Sequence, residues 1–114
     1  MILRIPLLFE GSKSSKNLYA LFDSGATYSF IKEDKAEELA PFAGKGNIPK
    51  ETNNKIKLGF YIDGIRLYDE FLIVFGLTEQ VLLGTNTFRK WNIKYDSNVN
   101  EFFLLPKLPK LIPL

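Results

Sequence analysis

The apolar positions of this chain come in short runs broken by turn signals, a pattern that predicts many short strands and little helix. Ile2 to Phe9 is apolar enough for a strand, Gly11 to Ser15 reads as a turn, and Lys16 to Phe22 returns as a second strand. The two are expected to form a hairpin. Tyr28 to Ile31 is another short extended piece. Lys32 to Ala40 holds good helix formers without Gly or Pro and is the best early helix. Asp34 and Glu37 have capping-box spacing, a start nearer Ser29 is equally open, and Pro41 ends the segment.

Phe42 to Asn54 carries two Gly, a Pro and two further Asn among its lysines, the composition of a surface loop or projecting hairpin. Lys55 to Ile62 and Ile65 to Phe75 flank Asp63-Gly64, a strong type I′ hairpin signal. Within the second arm, Phe71 to Phe75 reads as a fully buried central strand. Val81-Leu82-Leu83 is an apolar run halted by Gly84, and Thr85 to Trp91 reads as a short helix with Thr85 as its cap. Ile93 to Tyr95 and Glu101 to Leu105 look like strands around an Asp96-Ser97-Asn98 turn. Three prolines keep the tail after Leu105 from being an inner strand, which leaves an edge strand, an extended arm or a linker. The fold class is therefore mostly β with one or two short helices, its strands curling into a small closed barrel or paired sheets.

Composition narrows the chemistry. The chain has 114 residues and is 46% apolar, which suits one compact domain with a real core. Fifteen Lys plus Arg against thirteen Asp plus Glu leave a net charge of +2, with the lysines scattered. That balance speaks against nucleic acid or an anionic membrane as the main partner. No apolar run reaches membrane-span length, and MILRIPLLFEG lacks a signal peptide's basic start and cleavage site, so a cytoplasmic location is expected. With no Cys and no His, thiolate chemistry, Ser-His-Asp catalysis and nearly all transition-metal sites are out of reach. No cofactor and no metal are expected. An enzyme built from this chain works with carboxylates, Lys, Tyr or backbone groups.

One carboxylate stands out. The apolar strand Leu18 to Phe22 delivers Asp23 to its end, followed by Ser24, Gly25 and Ala26. An ionised carboxylate taken into a core is costly unless paired or chemically used. An Asp-Ser-Gly at a strand end is often only a turn in which the carboxylate accepts backbone N–H bonds. In this setting, though, Ser24 can fix neighbouring backbone, Gly25 permits close approach and Ala26 keeps the turn narrow. Two carboxylates about 3 Å apart share one proton and can act as acid and base together. There is no second Asp-Ser/Thr-Gly in the chain, but a two-fold dimer would set Asp23 against its own copy.

Phe22-Asp23-Ser24-Gly25-Ala26-Thr27 resembles the active-site signature of retropepsin-like aspartic proteases, and Val81-Leu82-Leu83-Gly84-Thr85-Asn86-Thr87-Phe88 resembles that family's second signature. The separation of the two and the hairpins between them match as well. The resemblance spans roughly Ile2 to Leu105, so residues 1–105 would be one retropepsin-like domain and 106–114 a Pro-rich tail. It implies Asp23 as the catalytic acid, Ser24 bonding across the dimer, and Gly25 meeting substrate backbone. Leu83 and Gly84 would pack beneath the loop.

Retroviral members commonly pair an acid after the Ala with an Arg after the second-signature Gly. Thr27 and Thr85 occupy those positions here, so both partners are missing together. With the helix at Lys32 to Ala40, this points to a cellular or microbial branch rather than a viral one. A flap is expected between the early helix and Asp63-Gly64, at Gly44 to Asn54, with Gly46, Asn47 and Ile48 near its tip. The resemblance thus implies a homodimeric aspartic endopeptidase acting on extended peptides. A binding or dimerisation module of the same fold, with activity weak or lost, is the alternative.

Overall fold

The computed structural model describes residues 4–40 and 54–105. Among these residues eight strands and two helices follow one another as β1 (Arg4–Glu10), β2 (Ser15–Phe22), β3 (Phe30–Lys32), α1 (Glu33–Leu39), β4 (Lys55–Ile62), β5 (Ile65–Val74), β6 (Val81–Leu83), α2 (Thr85–Trp91), β7 (Ile93–Asp96) and β8 (Glu101–Leu104). Six of the strands close into a barrel in the order β1-β2-β6-β3-β5-β4, while β7 and β8 form a separate two-stranded sheet.

Two antiparallel hairpins supply the longest ladders. The first pairs Arg4 with Leu21 through Glu10 with Ser15, and the second pairs Lys55 with Leu72 through Ile62 with Ile65. Asp63 and Gly64 both take positive φ, 54° and 72°, which is the requirement of a type I′ turn. The barrel closes where Phe9 and Glu10 meet Phe60 and Gly59.

Alternation along these strands decides what the barrel holds. Ile5, Leu7 and Phe9 of β1 and Ile56, Leu58, Phe60 and Ile62 of β4 point inward and are buried. Phe9, Phe60 and Phe71 are fully buried and form an aromatic triangle with ring centroids 5.8, 5.9 and 6.0 Å apart. The expectation that Phe71 to Phe75 is buried throughout fails. Phe71 and Ile73 are buried, but Leu72 and Val74 are only half so, Phe75 is 41% exposed, and the strand stops at Val74. A barrel strand keeps an outer face, and among the described residues no second layer encloses this one.

Both helices are short. α1 spans one residue less at each end than the sequence suggests and buries Ala36 and Leu39. Its N-cap is Lys32, without a side-chain bond, so the Asp34 and Glu37 spacing does not serve as a capping box. The turn between β1 and β2 closes its other end, with the Lys13 and Ser14 amides donating to the Leu39 carbonyl. The β7–β8 hairpin packs through Phe102 onto Phe88 of α2, and Phe88 stacks on Phe22 at 3.8 Å. This second sheet is thereby tied to the end of β2, next to Asp23. No helix among the described residues is long and apolar enough to cross a membrane.

Candidate active site

β2 and β6 run parallel, with Ala20, Leu21 and Phe22 opposite Val81, Leu82 and Leu83. The two strands therefore end at the same level, and the chain emerges from them as two adjacent loops. Asp23 leaves β2 with its amide donating to the Leu83 carbonyl at 3.1 Å. The chain then reverses: the Ala26 amide donates to the Asp23 carbonyl at 3.0 Å, and the Gly25 amide donates to Asp23 Oδ1 at 2.8 Å. This is the turn that the Asp-Ser-Gly tripeptide suggests on structural grounds alone. It also fixes one carboxylate oxygen and leaves Oδ2 without a hydrogen-bond partner among the described residues.

The sequence suggests an acid carried into the core. In the fold Asp23 is half-buried at the strand end, where partial hydration and a backbone donor offset the desolvation cost. Ser24, Gly25 and Thr27 are exposed and Ala26 is half-buried. Leu83 is fully buried below them. Gly46, Asn47 and Ile48 lie outside the described residues.

α2 begins directly against this loop. Its N-cap is Gly84 and not Thr85, and no side chain caps it. The first helical amides are satisfied by the loop instead, Thr85 donating to the Ala26 carbonyl at 2.8 Å and Asn86 to the Thr27 carbonyl at 3.0 Å. Backbone bonds thus join loop and helix at the two positions, Thr27 and Thr85, where an acid–Arg pair is absent. Gly84 is needed for closeness and not for its dihedral angles, since φ is −94°. A Cβ there would overlap the Tyr28 carbonyl oxygen and come within 2.9 Å of the Thr27 carbonyl carbon.

The sequence pattern did not point to three further residues that the fold brings to this place. Ser29 and Thr87 are 3% and 1% exposed. Ser29 Oγ accepts from the Gly84 amide at 3.0 Å and lies 2.6 Å from Thr87 Oγ1, which donates to Asp69 Oδ2 at 2.7 Å. Asp69 Oδ1 accepts from the Glu70 amide at 2.8 Å, and Lys90 Nζ stands 3.5 Å away. Ser29 and Thr87 are separated by 58 positions in sequence, so no local spacing could link them. A cavity of about 330 Å³ opens beside this group, bounded by Tyr28, Lys55, Glu70 and Asn86 among others.

No family model and no curated protein matches this chain. Among solved structures it is similar to the retroviral protease-like domain of Ddi1 from Leishmania major, with a TM-score of 0.65 and 15% identity. The match covers 93% of this chain and 90% of that one. At this identity the likeness concerns the fold, and it agrees with the six-stranded barrel, the short helices and the paired loop ends described above. The chain has a retropepsin-like fold.

Proposed function

We propose that this protein is an aspartic endopeptidase whose catalytic pair is Asp23 and its copy in a homodimer. The observation that carries the reading is the state of Asp23 within a retropepsin-like fold: one oxygen is anchored by the Gly25 amide and the other is unpartnered among the described residues. A single chain offers one such carboxylate, and the chemistry needs two.

In the proposed reaction a water lies between the two carboxyl groups. The ionised one takes a proton from the water as its oxygen attacks the peptide carbonyl carbon, and the protonated one gives its proton to the carbonyl oxygen. The tetrahedral intermediate then collapses, the C–N bond breaks and the leaving nitrogen is protonated from the pair. One hydroxyl of the intermediate returns its proton to the pair as the carbonyl reforms, so the products are a carboxylic acid and an amine and the pair again holds a single proton. Substrate would be an extended peptide, and no metal, cofactor or covalent intermediate takes part.

The test is cleavage of a mixed peptide library by purified protein from about pH 3 to about pH 7, beside the Asp23→Asn variant, with sedimentation of both. Activity that leans to the acid side, is lost in the variant and accompanies a dimer is the expected result. A protein that stays monomeric, or cleavage unchanged by Asp23→Asn, would sink the proposal. A dimer that cleaves nothing would favour a binding module of the same fold.

A further inference from the structure

We infer that Asp69 and Thr87 are positioning residues for Asp23, acting through Ser29 and the peptide unit between Leu83 and Gly84. This rests on the protease reading for its catalytic consequence, but the geometry stands apart from it. A carboxylate only accepts hydrogen bonds, so the 2.7 Å contact assigns the single Thr87 hydroxyl proton to Asp69 Oδ2. Thr87 Oγ1 must then accept from Ser29, 2.6 Å away. With its proton committed, Ser29 Oγ is left as the acceptor for the Gly84 amide at 3.0 Å. Every donor in the series has one acceptor, and the direction is set from the carboxylate inward.

The chain of bonds does not stop at Gly84. The Gly84 N–H and the Leu83 C=O belong to the same planar peptide unit, so fixing one fixes the orientation of the other. The Leu83 carbonyl accepts the Asp23 amide at 3.1 Å. Ser29 and Asp23 therefore hold opposite edges of one rigid plane, and Asp69 orders the hydroxyls that hold the first edge. Two of the linking side chains are almost wholly buried, where hydrogen bonds are strong and polarise one another. Asp69 is itself held in place, by the Glu70 amide at 2.8 Å and Lys90 at 3.5 Å, with its side chain 18% exposed. Among the described residues neither Asp69 nor Thr87 hydrogen-bonds to Asp23 or its loop, so their influence on the carboxylate passes through this plane.

The inference is tested by steady-state kinetics on a peptide the wild-type protein cleaves, with Thr87→Val, Thr87→Ser, Asp69→Asn, Asp69→Ala and the Thr87→Val/Asp69→Ala pair. Thr87→Val is isosteric but breaks the series, and it should lower kcat about tenfold while KM moves less than about twofold. Thr87→Ser and Asp69→Asn each retain the needed group and should stay within about threefold of wild type. The double variant should be no slower than Thr87→Val alone, because both changes break one series. An unchanged kcat in Thr87→Val, an equal loss in Thr87→Ser, or additive losses would overturn the inference. So would a lowered melting temperature without loss of kcat, which would mark the network as a brace only. Hydrogen exchange at the Gly84 amide reads the same chain without any substrate. It should speed up in Thr87→Val and not in Thr87→Ser, and equal exchange in both would end the inference even if the wild-type protein cleaves nothing. Failure of the protease reading would instead appear as no cleavage by wild type, or none lost in Asp23→Asn.

Discussion

Replacing Gly84 by Ala tests how closely the two signature loops pack. The φ of −94° suits any residue, so backbone strain is not at issue. Steric overlap is. Ordinary contacts of a Cβ lie at 3.4–4 Å, whereas this one would approach the Thr27 carbonyl carbon to 2.9 Å and the Tyr28 carbonyl oxygen more closely still. Both neighbours are backbone, tied on one side by the Asn86 amide on the Thr27 carbonyl and on the other by Ser29 on the Gly84 amide. The loop must therefore move by at least about 0.5 Å, and overpacking of this kind costs about 1–3 kcal/mol. Loosening two of the hydrogen bonds to α2 and β6 adds roughly 1 kcal/mol each. The lower entropy of the unfolded chain returns only about 0.4–1 kcal/mol. The net loss is about 2–4.5 kcal/mol, which for a chain of this size lowers Tm by on the order of 10–25 °C. Urea unfolding followed by circular dichroism measures it, with Gly64→Ala as the contrast. Gly64 has open space around it and φ of 72°, so that change costs only the left-handed strain of about 1 kcal/mol. A Gly84→Ala protein within about 0.5 kcal/mol of wild type would show that the loops are not in this contact.

Phe71→Ala empties one corner of the fully buried aromatic triangle and should cost about 3–5 kcal/mol, read as a lowered urea midpoint at unchanged m; a loss under about 1 kcal/mol would place Phe71 outside the core. Stability should also fall on the acid side. Glu10 is held below the ordinary value of 4.5 by Arg66 and then Tyr61, Glu38 by Lys16, and Glu79 by Arg4. With folded values beneath unfolded ones, their stabilisation is complete above the unfolded value and is lost as pH drops through the folded values. These are surface pairs, so the decline in Tm below about pH 5 should be shallow and smaller still in high salt. A Tm that is flat or rising toward acid would contradict it.

Much of the architecture can be read from local pattern. Asp63-Gly64 sets a hairpin because two consecutive residues must take positive φ, a requirement met within the dipeptide. The alternation in β1 and β4 predicts which side chains point inward, since strand geometry sends neighbours to opposite faces. Where local rules misled, a distant segment had supplied the missing partner. Thr85 looks like a helix cap, but the cap position falls on Gly84 and the carbonyls of Ala26 and Thr27 take the first two helical amides, those of Thr85 and Asn86. Phe71 to Phe75 looks buried on both faces, but burial depends on what covers the barrel, and among the described residues its outer side there is only partly covered.

The chain alone narrowed the chemistry available: without Cys or His, and with one Asp-Ser-Gly at the end of an apolar strand, Asp23 is the carboxylate that stands out. It also settled the turn, because Asp, Ser and Gly bond to their own neighbours. What only the tertiary structure decided is how that turn is held. The parallel pairing of β2 with β6 sets Asp23 beside Leu83, and folding brings Ser29, Thr87 and Asp69 together from three separate elements. Hydroxyl and carboxylate groups far apart in sequence leave no periodic signal. Their meaning arises only once burial removes water and obliges each to find a partner in the protein.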